Sequence, residues 1–448
     1  MKKRLLIILV IVSIPLFVGC AAKKAAPKNV IIIIGDGTGF NQLQAGSLYL
    51  HGAENGLTAQ NFPIKLASTT YSADGKGYDG AAVLASFDYL KEKPTDSAAA
   101  ATALSTGIKT YDSAIGVDTL KRPLKHLFQY AEENGKATGV VTSVPLSHAT
   151  PAGFIAHNDS RGNYHAIAAE MVLHSAAEVI MGCGHPYYDD DGQPLPEPVF
   201  KYVSQQVWQA VQDQSAGADA DGDGAADAWT FIENRTDFVR YGEGDAPKRL
   251  LGIPQAASTL QASRAGGDEQ QEPLSAPMAA TIPTLAEMAR AALNVLDGDP
   301  EGFYLMIEAG AIDWVCHANN RPRLVEEVVA MEEMVQAVVN WVEAKSSWDE
   351  TVLLVTADHE TGYLTGPASG VETAGGEKVI YPPLVNNGAG KMPGMEFHSG
   401  GHTNSLVPVL AKGVGAEGLL KLARSNDPRQ GPYLDNTDIP NYFIQFLQ

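Results

Sequence analysis

Phe303-Tyr-Leu-Met-Ile307 runs directly into Glu308-Ala-Gly-Ala-Ile-Asp313-Trp-Val-Cys-His317, and Val352-Leu-Leu-Val355 runs into Thr356-Ala-Asp358-His359-Glu360. In both places a short, unbroken apolar run ends in residues that hold metal ions or move protons. Unbroken rather than alternating apolar runs mark strands buried on both faces, the condition of a parallel sheet covered by helices. Open sheets of this kind bind ligands beyond the carboxyl ends of their strands, which is where these carboxylates and histidines fall. Asp313 and His317 stand four apart, so a helix after Ile307 places them one turn apart on one face, within reach of a single ion. Asp358 and His359 are adjacent and would point to opposite faces of a strand. They can share an ion only if the strand ends before them, which Thr361-Gly362 permits. Taken singly, each residue reads as a surface carboxylate or a satisfied histidine; six in two segments read as a metal centre.

The same pattern extends outward. Val30 to Ile34, Ala137 to Val144 and Val179 to Gly182 are further apolar runs that read as central strands. Ser97 to Leu104, Leu124 to Asn134, Tyr164 to Glu178, Thr284 to Leu296 and Leu324 to Lys345 read as helices between them. Alternation of this kind marks a doubly wound α/β fold. The stretch from about Pro186 to Pro277, ending in the polar Gly-, Gln- and Ser-rich run after Ala256, reads as an insertion rather than a second domain. Within it, Asp219-Ala-Asp221-Gly-Asp223-Gly224-Ala-Ala-Asp227 carries alternating carboxylates and a glycine at the sixth place, the start of a calcium loop. The twelfth place is Thr230 instead of glutamate, so the segment is closer to short extracellular calcium repeats than to an EF-hand; a solvated acidic loop is the alternative.

The first nineteen residues read as an export signal and not as part of the fold. Lys2-Lys3-Arg4 precedes an apolar stretch from Leu5 to Val18 that is short for a membrane span. Leu16-Phe-Val-Gly-Cys20 resembles a bacterial lipobox, which would make Cys20 the lipidated first residue, with residues 20–28 as a tether and 29–448 as the folded domain. The alternatives are a lipoprotein of the cell or outer membrane facing the periplasm, or a secreted protein. After Cys20 only Cys183 and Cys316 remain among 448 residues, so the exported chain is not a disulfide scaffold. Fifty-two acidic against 32 basic residues give a net charge of -20, which argues against a nucleic-acid binder, whose phosphate contacts need a basic face. It does not exclude an anionic substrate if metal ions supply the local positive charge.

Two more segments carry chemistry. Asp36 follows the first apolar run between Gly35 and Gly37, at a turn where an ion or phosphate can approach the backbone closely. Thr95-Asp96-Ser97 precedes an alanine-rich run of strong helix formers, so Ser97 sits at a helix start, where free N–H groups favour an anion. By itself Ser97 reads as an N-cap serine.

Together these motifs resemble the alkaline phosphatase family. The matching stretches are Val30 to Gly37, Thr95 to Gly107, His148-Ala-Thr150-Pro-Ala-Gly-Phe-Ile-Ala-His157-Asn-Asp-Ser-Arg161, Glu308 to His317, Thr356 to His359, and Gly401-His402-Thr403, in the family's order and leaving out the insertion. The resemblance implies a three-layer α/β/α sandwich with a mostly parallel central sheet. It implies an exported hydrolase that cleaves phosphate monoesters to alcohol and inorganic phosphate through a phosphoserine on Ser97, with Arg161 clamping the phosphate. It further implies one zinc on Asp313, His317 and His402, a second on Asp36, Asp358, His359 and Ser97, and a magnesium on Asp36, Thr150 and Glu308. A homodimer is implied by the same analogy. The resemblance also implies that His148 and Trp314 lie near the phosphate, since they occupy the positions where the best-known bacterial pattern has aspartate and lysine. His398, four before His402, is a second histidine; the following Thr403 favours His402 as the ligand. A phosphodiesterase or sulfatase of the same superfamily is the rival reading within the enzymes, and a metal-binding surface lipoprotein without catalysis is the rival outside them. Asp96-Ser97 with Arg161 favours monoester hydrolysis.

Overall fold

Five successive β-branched residues, Val30 to Ile34, crowd a helix and pack well on a pleated sheet. Strand β1 (Asn29–Gly35) forms there and is buried throughout. The computed structural model describes residues 26–220, 224–267, 269–373 and 378–448. In chain order the other strands of the main sheet are β2 (Ile64–Thr69), β3 (Ala137–Pro145), β4 (Val179–Cys183), β5 (Thr230–Ile232), β6 (Leu250–Gly252), β7 (Phe303–Ala309), β8 (Thr351–Thr356), β9 (Val407–Gly413), β10 (Ser425–Asp427) and β11 (Gly431–Asp435). They lie side by side in the order β10-β11-β2-β9-β8-β1-β7-β3-β4-β6-β5. From β8 to β5 every neighbour is parallel. Only β9, antiparallel to β8 and β2, and the β10-β11 pair break the pattern.

Alternation along β1 divides the interior into two cores. Val30, Ile32 and Ile34 face one and Ile31 and Ile33 the other. Among the helices are, in chain order, α1 (Phe40–His51), α2 (Ser97–Thr106), α3 (Ala149–Ile155), α4 (Leu285–Leu296), α5 (Ala311–His317) and α6 (Arg321–Lys345). Ala98 and Leu104 of α2 and Ala152 of α3 pack with Val30, while Leu43 of α1, Met288 of α4 and Val328 of α6 pack with Ile31. The architecture is the expected three-layer α/β/α sandwich. The five apolar runs read as strands form β1, β3, β4, β7 and β8, the middle of the sheet. Helices also form over Leu127–Glu132 and Tyr164–His174, shorter than the sequence suggested. The segment from 186 to 277 contributes β5 and β6 to one edge of this same sheet.

That segment is fastened to α6 by a buried charge network. Glu326 accepts from Arg264 Nη2 at 2.9 Å and Arg323 Nη1 at 2.6 Å, and its other oxygen from the Leu274 N–H at 2.6 Å. All three charged side chains are almost wholly buried. Removing the carboxylate strands two guanidinium groups out of water, the costly way to break such a network. Glu326→Ala should therefore lower stability by about 3–5 kcal/mol, read as a fall in the denaturation midpoint. A change under about 1 kcal/mol, the value of an exposed pair, would show that the network adds nothing to the attachment.

Candidate active site

The carboxyl ends of β1, β7 and β8 lie side by side, and each delivers acidic groups to one place. Asp36 follows β1, Glu308 is the next-to-last residue of β7, and Asp358 and His359 follow β8. The strand ends at Thr356, so Asp358 and His359 are free to turn to the same point, and His359 Nε2 stands 3.2 Å from Asp358 and 3.6 Å from Asp36. Gly37 has φ 68°, and a Cβ there would meet the Asp313 backbone at 2.8 Å. Only glycine lets the β1 turn approach α5 so closely.

Helix α5 presents Asp313 and His317 one turn apart, 3.3 Å from oxygen to Nε2. His402 reaches Asp313 from a two-residue strand paired with Glu360–Thr361, at 3.5 Å. The three histidines share a device. His402 Nδ1 is tied to the Thr95 carbonyl at 2.8 Å, His317 Nδ1 to the Gly400 carbonyl at 2.7 Å, and His359 Nδ1 to the Thr361 hydroxyl at 3.3 Å. Fixing one ring nitrogen aims the other, and here each Nε2 turns inward, the arrangement that orients metal ligands. Asp313, His359 and His402 form one group able to hold an ion, and Asp36, Asp358 and His359 another; in each the ligand atoms lie within 4.8 Å of one another. His317 Nε2 completes the first group, 3.1 Å from His402 Nε2. His398 turns away, bonded to the Thr365 hydroxyl at 2.7 Å.

Ser97 enters from the opposite core. Asp96, not Ser97, is the N-cap of α2: its carboxylate accepts from the Ala99 N–H at 3.0 Å. The serine hydroxyl is thereby released from capping and lies 3.2 Å from His359 Nε2. The same Asp96 accepts from Arg161 Nη1 at 3.0 Å, which fixes the guanidinium beside the serine. Although burial disfavours its charge, the Asp96 carboxylate keeps Arg161 firmly protonated. His148 Nε2 lies 3.4 Å from Arg161 Nη2 and its ring 5.5 Å from that of Trp314. Burial, then the Arg161 charge, push His148 down to about 3, so it is neutral.

Burial and mutual repulsion dominate the electrostatics of this acidic cluster. Burial first, then Asp358, Asp313 and Glu308, push Asp36 well above the usual carboxylate range. Burial raises Asp358 to about 6 and Glu308 to about 7, the latter eased by the Thr142 hydroxyl. Burial would raise Asp313 as well, but the His402 bond and the nearby histidines hold it low. Both oxygens of Asp36, one each of Asp358 and Glu308, and the Thr150 hydroxyl are buried without a hydrogen-bond partner. Buried acceptors are ordinarily satisfied, and five unsatisfied oxygens converging beside three inward-facing imidazoles fit divalent cations.

Asp36, Ser97, Asp313, His317, Asp358, His359 and His402 are thus brought together by the fold. What the sequence does not announce is that the Asp96 carboxylate caps the helix and holds Arg161, and that the Thr361 hydroxyl lies 2.5 Å from Asp313. An aspartate one place before a helix-start serine was the available signal for the first. Of the calcium-loop residues, Asp221 and Asp223 lie outside the described residues, as do Cys20 and the leader. Asp219 accepts from the Gly224 N–H at 2.9 Å, and Asp227 pairs with Lys248 at 2.6 Å.

The alkaline phosphatase family model matches residues 27–396. The chain is 30% identical over 364 residues to alkaline phosphatase 3 of Bacillus subtilis, covering 77% of this chain and 63% of that one. It is 29% identical to alkaline phosphatase 4 of the same organism, covering 80% and 66%, and 32% identical to alkaline phosphatase H of Pseudomonas aeruginosa, covering 75% and 70%. The match thus spans slightly under two thirds of the two Bacillus proteins. Among solved structures, a cold-active alkaline phosphatase from a psychrophilic Shewanella superposes with a TM-score of 0.66 at 23% identity, over 94% of this chain and 100% of that one. The alkaline phosphatase of the Antarctic bacterium TAB5 gives 0.63 over 95% and 99%, also at 23% identity. These two likenesses speak for the fold.

Proposed function

Because the chain belongs to the alkaline phosphatase family, we propose that it is a metal-dependent phosphomonoesterase with Ser97 as nucleophile. The observation that carries the reading is the Ser97 hydroxyl set between the Arg161 guanidinium and two groups of buried carboxylates and imidazoles. Arg161, a planar fork of donors, takes two phosphate oxygens and sets the ester in line with Ser97. The Ser97 Oγ–P bond forms as the ester O–P bond breaks, and the departing alkoxide takes a proton to leave as alcohol. Water then attacks phosphorus on the opposite side, the Oγ–P bond breaks, and Ser97 recovers its proton as inorganic phosphate leaves.

The residues fit three cations: zinc on Asp313, His317 and His402, zinc on Asp36, Asp358, His359 and Ser97, and magnesium on Asp36, Thr150 and Glu308. When bound, such ions lower the pKa of hydroxyl groups and neutralise charge built up in phosphoryl transfer. Release of phosphate from an aryl phosphate, set against an aryl phosphodiester and an aryl sulfate, tests the reading. Preference for the diester or the sulfate would overturn it.

His148 and Trp314 tune phosphate affinity. Trp314 adds no charge where a lysine would attract the product, and release of product is often the slow step. Trp314→Lys should tighten inhibition by inorganic phosphate several-fold, and His148→Asp combined with it should make activity depend more on added magnesium. Unchanged phosphate inhibition in a folded Trp314→Lys protein would place position 314 away from the phosphate. Export with a lipid on Cys20 completes the reading; among the described residues no helix is long and apolar enough to cross a membrane. Cys20→Ser should shift the protein from the membrane to the soluble fraction, and an unmodified mature N-terminus beyond Cys20 would mean plain secretion.

A further inference from the structure

The segment from 186 to 277 reaches the catalytic centre at Tyr202. Tyr202 is buried, and its carbonyl accepts from the Ser147 hydroxyl at 2.8 Å, next to His148. Two residues earlier the Phe200 carbonyl lies 2.8 Å from His165 Nε2. Lys201 is thus pinned on both sides, by the turn before His148 and by the helix that follows Arg161. Its own side chain is exposed, with Nζ 4.6 Å from the centre of the Tyr202 ring. Tyr202 meets Tyr164 edge to face at 5.1 Å, and Tyr164 lies parallel to His148 at 6.3 Å. A rim of rings therefore runs from Trp314 through His148 and Tyr164 to Tyr202, with a cation at its outer end.

That cation is unusual for its setting. The protein carries a net charge of -20, yet no carboxylate lies within ion-pair distance of Lys201 among the described residues. The phenol of Tyr202 holds the ammonium in its charged form. Lys201 is near enough to His148 to act on its charge. Arg161 is already paired with Asp96 and His148 is neutral, whereas Lys201, which meets the Tyr202 phenol and feels Asp190 only at longer range, keeps a positive charge at the outer end of the rim.

We propose that Lys201 reads a second negative charge on the substrate, so that the site favours phosphate monoesters whose leaving group carries an aromatic ring and an anionic substituent. This rests on the phosphomonoesterase reading. The ring lies along the aromatic rim, and the distal anion meets the ammonium in water. Partly exposed pairs of this kind are worth up to about 1 kcal/mol, so the preference is modest, roughly two- to fivefold in kcat/KM, and is weakened by salt.

The test uses two esters that differ by one charge: 4-(carboxymethyl)phenyl phosphate and its methyl ester. In wild type at low ionic strength the acid should exceed the ester in kcat/KM by about two- to fivefold. Lys201→Ala should bring that ratio to one or below, Lys201→Glu should reverse it, and Lys201→Arg should preserve it. Hydrolysis of both esters with a ratio unchanged in Lys201→Ala would overturn the role of Lys201 and leave the phosphatase reading standing. Hydrolysis of neither by the wild type would overturn both.

Discussion

Ser97→Ala is expected to lower turnover of an aryl phosphate at least about a thousandfold, the scale of losses when a covalent nucleophile is removed. The substitution deletes one oxygen. The helix keeps its cap, because Asp96 supplies it, and Arg161 keeps its partner, so the fold and phosphate binding should survive. Metal content and the melting curve of the variant should therefore match the wild type, while wild type quenched in acid should carry phosphate on Ser97. A label on another residue would move the nucleophile. Retention of full activity by a properly folded Ser97→Ala protein would remove the covalent mechanism altogether.

Chelation should abolish activity completely, and the reason lies in the charge balance of the cluster. Asp36, Asp358 and Glu308 are buried together with oxygens that have no hydrogen-bond partner, and each is pushed up by burial and by its neighbours. Bound cations would satisfy those oxygens, so on the proposed reading their removal should take away both the chemistry and part of the stability. Zinc should restore turnover, with about two zinc ions bound per chain if both histidine-bearing groups fill. Metal-free protein should also melt at a lower temperature than the reconstituted form. Full activity in protein stripped of transition metals would sink the metal-dependent reading.

Strands buried on both faces announce themselves. Ile31 and Ile32 face different cores, so the run cannot alternate, and β1, β3, β4, β7 and β8 were legible for this reason. The two flanks of the sheet were not. In β2, Ile64-Lys65-Leu66-Ala67-Ser68-Thr69 mixes polar and apolar residues, and β9 contains Pro408, which donates no backbone hydrogen bond and argues against a central strand. β5 and β6 are three residues each, too short for any period to show. The site was legible where its chemistry sits in contiguous motifs. It was not legible where a contact joins distant segments, as Asp96 does with Arg161 and Thr361 with Asp313, because only the folded sheet brings those pairs together.

The histidines carry one further consequence. His402 belongs to a segment near the end of the chain, yet its ring is set by the carbonyl of Thr95 and its strand pairing by Glu360–Thr361. A ribosome releases Asp36, Ser97 and Arg161 long before it releases His402. During synthesis the chain can pair β1 with its first neighbours but cannot close the ring of imidazoles around Asp313. A nascent copy that has not yet released His402 therefore lacks one of the three imidazoles gathered beside Asp313, and the ligand set closes only when that late segment pairs with Glu360–Thr361.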